Sequence, residues 1–165
     1  QRNIRKGGTD TFIIGLLDAE DRNMQPAYQS IRQTALCHPD YHFILLTEKP
    51  QVAQDLFVLS ANVEIHQQLH LEEVMKECSV ALTSDHPDAW LECTFAGLPF
   101  IPMSDKEVRR MTPWKLERQI ADTLKHQDIY RKNERDMCQY FEEENHKLDA
   151  MADRLIAMAE CKTNE

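Results

Sequence analysis

Ser84, His86, Asp88 and Glu92 fall together in one short stretch, TSDHPDAWLECTFAGLPFI, running from Thr83 to Ile101. Asp88 and Glu92 are spaced i,i+4, which on a helix places both carboxylates on one face. A carboxylate so placed accepts two hydrogen bonds from a diol such as the 2′,3′-hydroxyls of a ribose. Backbone N–H groups at a helix start, here Asp88 to Trp90, receive a phosphate oxygen. The Ser84 hydroxyl and the His86 imidazole can bond a phosphate or a sugar hydroxyl. The plainer role for Asp88 and Glu92 is to favour the helix dipole and face solvent.

Those side chains need a helix at a sheet edge, and the local signals supply one. Pro87 and Asp88 suit a first helical turn, where a missing N–H costs little and negative charge meets the positive end of the dipole. Gly97 suits a left-handed cap. The helix lies between the apolar runs Val80 to Leu82 and Pro99 to Met103, as expected for a crossover between two parallel buried strands. The tips of such strands are where open α/β sheets bind ligands.

The rest of the chain repeats this alternation. Strands are predicted at Phe12 to Leu17, His42 to Leu46, Asn62 to Ile65, Val80 to Leu82 and Phe100 to Met103. Helices are predicted over Gln25 to Cys37, with Ala27, Ile31, Ala35 and Leu36 on one face, around Gln51 to Leu59, and over Leu71 to Cys78, with Val74, Met75 and Cys78 together. Helices alone follow, at about Trp114 to Lys125 and from about Asp128 to Cys161, with a break expected near Glu144 to His146. The fold class is therefore α/β: five or six parallel strands, Rossmann-like, helices on both faces and a helical C-terminal extension from about residue 114. Residues 1–10 read as a linker or remnant and 11–165 as one domain.

Composition narrows the function classes. At 165 residues the chain can bury a real core. A net charge of -9 argues against a nucleic-acid partner or an anionic membrane surface. No apolar run reaches the roughly 18 residues of a membrane span. Cys37, Cys78, Cys93, Cys138 and Cys161 are widely spaced with no C-x-x-C pair, as in reduced cytoplasmic proteins. The four glycines, Gly7, Gly8, Gly15 and Gly97, allow neither G-x-G-x-x-G nor a P-loop. His66 and His70 straddle a strand-to-helix turn, so no metal is expected.

The segment LHLEEVMKECSVALTSDHPDAWLECTFAGLPFI resembles the nucleotide-sugar-binding half of GT-B glycosyltransferases. There a helix leads to a strand, a serine, and then E-A-x-A-x-G-x-P-V-I. The matching residues are Ser79 and Val80, then Ser84, then Glu92, Cys93, Phe95, Gly97, Pro99 and Ile101. MTPWKLERQIADTLKHQDIYRKNERDM resembles the helix pair that follows the last strand in that family, so the likeness runs from about Phe12 to Met137.

The resemblance implies a nucleoside diphosphate sugar as donor substrate, with no cofactor or metal. It also implies an acceptor domain preceding Gln1, and a terminal helix whose Met137, Tyr140, Phe141 and Met158 face that domain. Donor contacts would come from Gly15, Arg22, Ser84, His86, Asp88 and Glu92. Many retaining members carry an arginine and a lysine after the first strand. This chain has Leu16 and Asp21 there, leaving Arg22 one residue further on, and no catalytic residue is assigned. A binding module that has lost turnover and one half of a sugar-nucleotide epimerase share the same architecture.

Overall fold

Each strand forms where an apolar run too short for a helix is bounded by polar residues. The computed structural model describes residues 10–17, 25–48, 50–57, 60–84, 86–103 and 112–163. In chain order these form β1 (Thr11–Leu16), α1 (Gln25–Cys37), β2 (Tyr41–Leu46), α2 (Pro50–Phe57), β3 (Val63–His66) and α3 (Leu71–Glu77). There follow β4 (Val80–Thr83), α4 (Pro87–Ala96), β5 (Phe100–Pro102), α5 (Pro113–Lys125) and α6 (Gln127–Thr163). The described strands make one sheet in the order β3-β2-β1-β4-β5, every pair parallel. That is the strand order of the doubly wound dinucleotide-binding fold as far as its fifth strand.

Two cores follow from the period-two alternation of the strands. Ile13, Leu17, Phe43, Leu45, Val80 and Leu82 point to one face, covered by Ala27, Tyr28 and Ile31 of α1, Ala53 of α2, and Leu116 and Ile120 of α5. Ile14, Ile44 and Ala81 point to the other, against Met75 of α3 and Cys78 just after it, and Cys93 of α4 and Leu98 just after it. Leu36 does not join the α1 stripe as predicted. It is 52% exposed, because one residue beyond Ala35 lies about 100° around the helix.

Gly15 sits within β1 on the first of these faces. A Cβ there would lie 2.5 Å from Leu45 Cδ2 on the neighbouring strand, so the missing side chain is space that Leu45 occupies. Gly15→Ala is expected to destabilise the chain by about 1 to 3 kcal/mol through overpacking. A fall in the urea midpoint with an unchanged slope would establish this, and an unchanged midpoint would contradict it.

The terminal helix differs from expectation. α6 is continuous over 37 residues, with no break near Glu144 to His146. Neither Gly nor Pro interrupts it, and bonds along its surface support that segment: Gln139 Nε2 to Glu143 Oε1 at 3.0 Å and Lys147 Nζ to Glu144 Oε1 at 2.7 Å. Its first part packs on α4 and α5. Beyond these contacts Leu148, Met151, Leu155 and Met158 form an exposed stripe at alternating spacings of three and four.

Where α6 meets the body, burial pushes the Glu134 carboxyl above its ordinary value of 4.5, opposed by the neighbouring Thr94 hydroxyl. The same Thr94 hydroxyl also donates to the Trp90 carbonyl at 2.9 Å. Glu134 Oε2 is otherwise buried without a partner among the described residues. A carboxyl with a raised folded pKa contributes stability that is present below the unfolded value of 4.5 and lost as pH rises through the folded value. Glu134→Gln, neutral at every pH, is therefore expected to be more stable than the parent at pH 7, with the difference closing toward pH 4. Urea melts across that range check it, and a pH-independent difference would refute the assignment.

Candidate functional site

Between β1 and β4 the chain reverses the direction in which it builds the sheet. From β1 it proceeds outward to β2 and β3, then returns through α3 to lay β4 on β1's other side. At such a switch point the connections leave in opposite directions and open a crevice at the strands' carboxyl ends. The crevice is present as a cleft of about 490 Å³, within the usual range for small-molecule sites. A larger concavity of about 610 Å³ lies between the end of α4 and α6, away from the strand tips.

Four of the predicted residues come together in the crevice: Ser84, His86, Asp88 and Glu92 all line it. Ser84 continues β4, its N–H donating to the Leu16 carbonyl at 3.0 Å. His86 is the N-cap of α4, its Nδ1 3.6 Å from Asp88 Oδ2, with both side chains exposed. Glu92 lies one turn beyond Asp88 and is also exposed. α4 is built as predicted, with Pro87 in its first turn and Gly97 capping it in the left-handed region at φ 63°.

The helix start departs from expectation in one respect. The N–H groups of Ala89 and Trp90 both donate to the His86 carbonyl, at 3.1 and 3.4 Å. Of the three amides expected to receive a phosphate, that of Asp88 makes no such bond among the described residues.

Gly15 is not among the lining residues, whereas Leu16 and Leu17 are. Arg22 and Asp21 lie outside the described residues. Thr47 and Glu48 after β2, which no sequence motif marks, also line the cleft. Their signal was positional, each lying just past the end of an apolar run. Gln67 and Leu71, just past the end of β3 and at the start of α3, line the cleft too.

Electrostatically the cleft is acidic. Glu48, Asp88 and Glu92 face it, with His86 the one described lining group able to become positive. His66 pairs with Glu64 at 3.0 Å. Among the described residues no group of three or more His, Cys, Asp or Glu is placed to hold a metal ion. Behind the cleft, burial first, then Glu134, Glu92 and Cys78, push the Cys93 thiol up to about 12. It is therefore a protonated core side chain and not a nucleophile.

Solved structures share this arrangement. The glycotransferase of kitacinnamycin superposes with a TM-score of 0.62 at 19% identity, over 82% of this chain and 43% of that one. The fold is one half of the GT-B architecture. A putative UDP-N-acetylglucosamine 2-epimerase from Listeria monocytogenes matches the GT-B half with a TM-score of 0.59 at 12% identity, over 78% of this chain and 40% of that one. CalG4, the calicheamicin glycosyltransferase, gives 0.58 at 16% identity, over 79% and 37%. The chain thus spans about two fifths of the length of these proteins. No protein-family model matches it, and no curated protein matches it in sequence. No helix among the described residues is long and apolar enough to cross a membrane.

Proposed function

We propose that the cleft binds the nucleoside diphosphate of a sugar donor, and that this GT-B half is the donor side of a glycosyltransferase completed by an acceptor domain. The observation that carries the reading is the convergence of Ser84, His86, Asp88 and Glu92 on one cleft at the switch point beside the start of α4. In this reading Glu92 accepts the two ribose hydroxyls. The diphosphate lies toward Ser84, the Asp88 amide and the positive end of the α4 dipole. Arg22 supplies positive charge from the β1–α1 connection. Gln67 and Leu71 border the base. Kitacinnamycin glycotransferase and CalG4 are glycosyltransferases by name, which supports transfer, while the matching UDP-N-acetylglucosamine 2-epimerase supports a sugar-nucleotide ligand in either case.

One observation favours a second reading. Three carboxylates and no lysine or arginine among the described lining residues make a poor cradle for a departing diphosphate, which needs positive charge or backbone donors in the transition state. A binding module without turnover would tolerate that balance. Titrating uridine, guanosine and adenosine diphosphates into the protein by calorimetry separates the two. Micromolar to millimolar binding of one of them supports the donor reading, and silence with all three favours the module.

A further inference from the structure

We infer that Trp90, which lies outside the set of ligand-contacting residues, is the positioning residue that holds Ser84 against the start of α4 in its binding conformation. The inference rests on the donor reading for its ligand and on geometry for the rest. The N-cap of α4, His86, makes no side-chain hydrogen bond to the helix, so the usual tie between strand exit and helix start is missing. Another tie replaces it. The Trp90 indole N–H reaches back from the first turn to the Ser84 carbonyl at 3.1 Å. Ser84 is thereby held on both sides, its N–H by the Leu16 carbonyl on β1 and its C=O by Trp90 on α4.

Trp90 is itself fixed. Its ring stacks on Phe100 of β5, with centroids 6.3 Å apart and an interplanar angle of 20°. Its backbone carbonyl accepts from Thr94 Oγ1 at 2.9 Å, on the next turn. The indole thus ties Ser84, at the end of β4, to α4 beside β5, while Ser84, His86 and Asp88 face the cleft. Ordering that segment in advance removes an entropy cost that a ligand would otherwise meet on binding. The groups affected are those facing the phosphates. The base end, beside Gln67 and Leu71, belongs to a different connection and is untouched.

The test is Trp90→Phe, which keeps a ring against Phe100 and deletes the N–H. Hydrogen exchange of the ligand-free protein is expected to accelerate over residues 84–89 and not in β1 or β2; unchanged exchange there would overturn the inference whatever the ligand is. For the diphosphate that the parent binds, affinity should fall roughly tenfold, the size of one hydrogen bond. Affinity for the corresponding nucleoside should stay the same. An equal loss for both would mark a general structural role and overturn the inference, as would no loss for either. If the parent binds none of the diphosphates, the donor reading fails, and the exchange comparison still decides Trp90.

A second measurement leaves the tie intact and does not depend on the variant folding. Trp114→Phe removes the other of the chain's two tryptophans, which is 66% exposed on α5. Trp90 emission should then change on titration with the diphosphate. Calorimetric binding with no change in emission would count against the tie.

Discussion

Glu92→Ala is expected to weaken nucleoside diphosphate binding by about 1.5 to 3 kcal/mol, the size of charged hydrogen bonds, or roughly 10- to 150-fold in dissociation constant. The side chain is exposed on α4 and belongs to neither core, so the fold should be unaffected. Calorimetry on variant and parent, with matched circular dichroism, checks it. A 2′,3′-dideoxy nucleotide should bind both proteins alike, because the loss in the variant is the loss of the diol's partner. Unchanged affinity for the ribose form in a folded variant would remove Glu92 from the site.

A larger effect is expected when sugar transfer itself is assayed. On the proposed donor reading, a chain that spans about two fifths of the length of its structural neighbours would offer one wall of a two-walled cleft. Transfer requires the acceptor hydroxyl, its base and the donor's anomeric carbon to meet within about 3 to 3.5 Å, and such positioning contributes about 7 to 11 kcal/mol of barrier lowering. With one wall alone the donor should bind and undergo at most slow hydrolysis. Incubation with a panel of sugar nucleotides, with and without an acceptor domain joined to the chain, measures this. Efficient transfer by the chain alone would overturn the two-wall reading.

The elements were legible because their signals are local. Pro87 and Gly97 bracket α4 in the sequence as they do in the fold, and the five apolar runs are the five described strands, with ends shifted by about one residue. Ser84, His86, Asp88 and Glu92 were legible as a group because one connection and one helix carry them all. Thr47 and Glu48 were not, because the end of β2 becomes a neighbour of β4's exit only when β1 is laid between them. Gly15 shows a different limit. A glycine near a strand exit reads as room for a phosphate, and in the fold that room is taken by Leu45, a fact about register between strands that no local pattern contains. The continuity of α6 was missed because Asn145 and His146 are individually weak helix formers, whereas the Lys147–Glu144 bond that spans them acts between turns.

The placement of β1 at the centre of the sheet also bears on the order in which the chain can assemble. β1 meets β2 after a single helical crossover, but Ile13 meets Val80 only after α1, β2, α2, β3 and α3 have all been made. The second pairing closes by far the longer loop, and contacts of high sequence separation are slow to form. The crevice exists only once that pairing is in place, so it is among the last surfaces the folding chain creates. A ligand held there binds the completed sheet and not its precursors. By mass action any ligand bound there would draw the population across that step, so ligand supply would bear on how much folded protein accumulates.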